Sequence, residues 1–76
     1  MRDIILREMR DAERKAWEGL AGYKFWMFGY HAARWINYSR LLDERFPNPF
    51  RDTVGVARRK IEELEGQQTL TEQPRE

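Results

Sequence analysis

An all-α fold is predicted by three features of the sequence. Apolar residues recur at helical spacing in three successive stretches, Pro47 and Pro49 separate the last two, and no stretch alternates at strand period. The expected architecture is a small three-helix bundle or a long-helix hairpin, completed by self-association or by a partner. Its helices fall near 3–18, 22–46 and 49–65, in one helical domain over 1–66, with a flexible C-terminal tail over 67–76.

The first helix rests on Ile5, Met9, Ala12, Ala16 and Leu20, one stripe at helical period flanked by Leu6 and Trp17. Opposite charges four residues apart (Asp3–Arg7, Arg7–Asp11, Asp11–Lys15, Arg14–Glu18) mark its solvated side. Gly19 and Gly22 then bracket Leu20 and Ala21. Each glycine weakens a helix by about 1 kcal/mol relative to alanine, so a helix–helix turn is expected here in preference to one helix running from 3 to 45. The second helix ends before Pro47, because the residue preceding a proline is pushed out of the α region. Asn48 and Pro49 have the chemistry of an N-cap and a first helical residue. Phe50, Val54, Ala57, Ile61 and Leu64 follow as the third stripe, with Gly66 as the expected C-cap.

Seventy-six residues without a cysteine exclude disulfides and thiolate metal sites. A chain this short buries only about 60% of the surface its unfolded form exposes, and folds of this size often need a staple or a second chain. The charged start, MRDIILREMRDAERK, has no apolar run of the kind a signal peptide carries, and a cytoplasmic location is expected. The net charge of +1 gives no general attraction to nucleic acid.

The stretch YKFWMFGY, residues 23–30, holds five of the chain's ten aromatic residues. On a helical wheel, Gly22, Phe25, Gly29, Ala32, Ala33 and Ile36 share one side, and Gly29 and Ala33 form a small step that lets a neighbouring helix approach. Tyr23, Met27, Tyr30 and Leu41 share a second, and Phe28, Trp35, Leu42 and Phe46, with Tyr38 nearby, a third. Trp26 lies between the first two. A helix apolar nearly all round is buried or crosses a membrane. Lys24, His31, Arg34 and Asn37 inside the 19 residues from Leu20 to Tyr38 argue against a membrane. Two flanking helices cover two sides of such a helix, and the third side remains. That surplus predicts a protein interface, with a copy of the chain or with another protein, at Tyr23, Trp26, Met27, Tyr30, Arg34, Trp35 and Tyr38.

Catalysis finds no support: His31 is the single histidine, no nucleophile has a base at a readable spacing, and the paired carboxylates sit on charged faces. His31 reads as a buried or interface histidine bonding through one ring nitrogen. No catalytic residue, cofactor, metal or small-molecule substrate is expected. The alternative function is nucleic-acid binding, in which Lys24, Arg34, Arg45, Arg51, Arg58 and Arg59 meet phosphates, bases stack on the aromatics, and the third helix acts as reader. The favoured function is a non-catalytic accessory, regulatory or inhibitor-type protein, of the size and style that phages and mobile elements encode, a likeness of style alone.

Overall fold

The structure, a computed structural model, describes the backbone of residues 1–72 and the side chains of residues 1–66. It is helical: α1 spans Arg2–Ala21, α2 Phe25–Leu42 and α3 Arg51–Glu72. Of the tail expected at 67–76, residues 67–72 continue α3, and the remainder lies outside the described residues. Gly66 therefore does not end α3, which runs on through it. Likewise α2 stops at Leu42, four residues short of the expected end, where Asp43 takes a left-handed conformation with φ 54°.

α1 and α2 form an antiparallel hairpin, and the break between them falls at Gly22–Lys24. The Lys24 N–H donates to the Gly19 carbonyl at 2.7 Å, and the Tyr23 N–H to the Leu20 carbonyl at 3.1 Å. This pair of bonds is a Schellman cap, which requires a left-handed residue at its second-last position. Tyr23 occupies that position with φ 62°. A left-handed non-glycine residue costs roughly 1–2 kcal/mol, yet Gly22 beside it has an ordinary φ of −98°. Because the Tyr23 side chain is 81% exposed, Tyr23→Gly is expected to raise stability by about 1 kcal/mol, read as the shift in a urea midpoint.

Gly19 does not break α1. It is buried within it, against the start of α2. A Cβ on Gly19 would stand 2.9 Å from both the Met27 Cβ and the Phe28 backbone nitrogen, and 3.1 Å from the Lys24 carbonyl oxygen. The α1 stripe serves this contact as expected: Met9, Ala12 and Ala16 are buried, and Ile5, Leu6 and Trp17 pack beside them. Farther along, Arg2 donates to both carboxylate oxygens of Glu44 at 2.8 Å, holding the open end together.

After Asp43 the chain turns back, and Phe50 enters the hairpin's aromatic cluster. Its ring lies 5.1 Å from Trp17, 5.5 Å from Phe28 and 6.4 Å from Trp35. The cap expected at Asn48 forms: its Oδ1 accepts the Phe50 N–H at 2.8 Å, and its carbonyl accepts the Arg51 N–H at 3.2 Å. α3 then leaves the hairpin and, among the described residues, packs on neither α1 nor α2. The three-helix bundle is accordingly not the arrangement seen. Only Phe50 of the third stripe is buried, and Val54, Ile61 and Leu64 are exposed. The reason lies in α1, whose single apolar stripe is already used by α2, leaving Arg10, Arg14 and Glu18 on its outer side. The molecule measures 61 × 26 × 15 Å with a radius of gyration of 17.2 Å, against roughly 11 Å for a compact domain of this length.

Candidate protein interface

One side of α2 fills the core. Trp35 is 6% exposed, and Phe28, Ala32, Ile36, Tyr38, Leu42 and Phe46 pack around the buried cluster. The opposite side has nothing against it. Tyr23, Phe25, Trp26, Tyr30 and Leu41 are all exposed, Trp26 by 74%. Gly29 and Ala33 are exposed between them, and a Cβ built on Gly29 meets nothing within 4 Å. Tyr23 and Phe25 stand edge to face at 6.1 Å, so the N-terminal end of this surface is an aromatic pair. The whole of α2 contains no acidic residue.

The interface residues expected from sequence divide accordingly. Tyr23, Trp26 and Tyr30 are on the outward face, Met27 and Tyr38 are half-buried, and Trp35 is the centre of the core. Arg34 has an internal task. Its guanidinium crosses to α1, donating to Glu8 at 3.0 Å and to Asp11 at 3.4 and 3.5 Å, and to the His31 Nδ1 at 2.8 Å on its own helix. It also lies 5.7 Å from the centre of the Tyr38 ring. Phe25 and Leu41 belong to the outward face although they are not among the residues expected there. The signal for Phe25 was its place on the wheel beside Gly29 and Ala33.

His31 bonds through one ring nitrogen, as expected, and accepts there from Arg34, which requires the neutral ring at Nδ1. Burial, then the charges of Arg34 and Lys15, hold its pKa below the ordinary histidine value, opposed by Asp11 and Glu18. For Asp11, burial raises the pKa, but hydrogen bonds from Lys15 and Arg34 outweigh it and leave the carboxyl below its usual range. In both cases the folded pKa is below the unfolded one, so stability is full above the unfolded value and falls as pH drops through the folded one. Thermal midpoints are therefore expected to fall from about pH 6.5 downward as His31 takes a proton, and again below about pH 4 as Asp11 does. His31→Asn, which keeps an acceptor near the Nδ1 position, should flatten the upper fall and leave the lower one.

The basic residues do not form one patch. Lys24 and Arg45 flank opposite ends of α2, a helix about 27 Å long, and Arg51, Arg58 and Arg59 ride on the projecting α3. Lys60 pairs with Glu63 on that helix at 3.7 Å. No packed α2–α3 unit of the helix-turn-helix kind is present among the described residues. A surface groove of about 530 Å³ is lined by Arg10, Glu13, Arg14, Trp17, Glu18 and Ala21, all on α1, and it opens to solvent. Trp17 Nε1–H donates to Glu13 at its edge, at 3.2 Å. Among the described residues no three His, Asp or Glu side chains stand together as metal ligands, and no helix is long and apolar enough to cross a membrane. Comparison with protein-family models, with curated proteins and with solved structures finds no match to this chain.

Proposed function

We propose that the chain is a non-catalytic protein-binding protein whose interface is the outward face of α2, centred on Trp26 and Tyr30. One observation carries this reading: the large aromatic side chains of the helix that are not needed for the core, Phe25, Trp26 and Tyr30, are exposed on its outward side. Interface centres favour such residues, because a tryptophan or tyrosine buries a large area with few rotatable bonds. The left-handed Tyr23 supports the same reading. The Schellman cap needs the left-handed conformation but not a tyrosine in it, and a non-glycine residue kept there at a cost is what a side chain with work elsewhere would explain. A monomer of this size gains nothing by exposing Phe25, Trp26 and Tyr30 to water.

The test is a photo-cross-linking amino acid at position 26, with Arg7, exposed on α1, as the control position. In the producing cell, position 26 is expected to trap a protein adduct, self or other, and position 7 far less. Equal labelling at both positions, or none at 26, would remove the reading. In parallel, Trp26→Ser with Tyr30→Ser should abolish the adduct and leave the unfolding free energy, measured at a concentration that keeps the chain monomeric, within about 0.5 kcal/mol of the parent, as surface changes do.

A further inference from the structure

The described chain has two apolar faces without a partner. The first is the outward face of α2. The second is the stripe of Val54, Ala57, Ile61 and Leu64 on α3, every residue of it exposed. We infer that each covers the other between two copies of the chain: α3 of one copy lies along the outward face of α2 in the second, and reciprocally. This rests on the reading of the α2 face as a protein interface and adds the identity of its occupant.

Three observations favour a second copy. The accessible surface is 6451 Å², whereas a compact monomer of 9.2 kDa exposes roughly 4,900 Å². The surplus of roughly 1,500 Å² comes partly from the projecting α3, and it exceeds the roughly 800 Å² that each partner contributes to a standard interface. Charge selects the pairing. Arg34 being paired with Glu8 and Asp11 on α1, the outward side of α2 carries Arg40 and no acid, with Lys24 and Arg45 just beyond its ends, so two α2 faces brought together repel. Over residues 51–66, α3 is balanced, with Arg51, Arg58, Arg59 and Lys60 against Asp52, Glu62, Glu63 and Glu65, so it meets α2 without that repulsion. Shape agrees as well. The small residues Gly29 and Ala33 are exposed on α2, with open space above Gly29, and Ile61 and Leu64 are exposed aliphatic side chains of the α3 stripe. A reciprocal exchange closes under two-fold symmetry, so it stops at a dimer.

The chain has no cysteine, which makes the pairing directly readable. Ala33→Cys and Ala57→Cys, both at exposed positions, are made in separate chains carrying different tags, mixed and oxidised. The expected product is the mixed disulfide, in excess over either homodimer. Sedimentation equilibrium of the parent should show a dimer, and Ile61→Asp with Leu64→Asp should weaken it at least tenfold. The thermal transition of the isolated variant should remain, because α3 is not part of the hairpin core. Preferential Ala33→Cys homodimers would overturn α3 as the occupant while leaving the α2 face an interface. A chain that stays monomeric and forms no mixed disulfide would overturn the second copy. So would ring closure within one chain carrying both cysteines. In either case the position 26 cross-link still decides the interface reading by itself.

Discussion

Trp35→Ala is expected to leave the chain largely unfolded at 25 °C. Trp35 is 6% exposed and is the one buried residue of α2, with Phe46 and Phe50 edge-on to it at 6.5 and 6.4 Å. Removing a buried tryptophan costs about 3–5 kcal/mol, most of which is the cavity left behind. Chains of this size hold roughly 4–11 kcal/mol in all, and an elongated hairpin sits toward the low end. The comparison that gives the result meaning is Trp26→Ala. The same chemical deletion nine residues away, at a side chain 74% exposed, should change stability by no more than about 0.5 kcal/mol. Urea unfolding followed by circular dichroism, run at one protein concentration low enough to keep both monomeric, separates the two. Equal losses would mean that Trp26 has intramolecular contacts absent from this fold.

Gly19→Val should be the second most damaging change. The atoms facing Gly19 include the Phe28 nitrogen and the Lys24 carbonyl, which are backbone and do not rotate away. The helices would have to part at the point where the Schellman bonds join them, at a cost of about 3 kcal/mol. Gly19→Ala meets the same atoms with one carbon and should lose less, because alanine returns part of the cost as helix propensity. Gly29→Ala is the control, since its added carbon enters open space, and it should be neutral or slightly stabilising. Thermal midpoints for the three variants should therefore fall in the order Gly29→Ala, Gly19→Ala, Gly19→Val.

Helical period located α1 and α3, because the spacing of Ile5, Met9, Ala12 and Ala16, and of Phe50, Val54 and Ile61, is a local property, and the glycines and prolines on either side marked off α2. The Asn48 cap was legible for the same reason: its acceptor and the N–H it satisfies are two residues apart. The turn was placed a few residues early. Glycine marks a left-handed position by default, and here the left-handed residue is Tyr23, while Gly19 serves a close contact with the start of α2 and Gly22 has an ordinary φ. What periodicity does not carry is which stripe meets which. The stripe on α3 is as regular as that on α1, yet only α1 finds α2, and this depends on where the 43–50 segment sends the chain. Arg34 shows the same limit. Read along the helix it is a cation among aromatics, and only the antiparallel pairing brings Glu8 and Asp11 across to it. The outward aromatic face was legible as a surplus of apolar area, since a helix apolar all round needs more neighbours than the chain supplies.

The proposal that a second copy completes the apolar surface the hairpin leaves over, on α2 and on α3, is tested most directly by sedimentation equilibrium of the full chain over a concentration series. The expected mass rises from the 9.2 kDa of the single chain to twice that value, and Trp26→Ser with Tyr30→Ser holds it at the lower one. A mass of 9.2 kDa at every concentration, for a chain that still unfolds cooperatively, would contradict it.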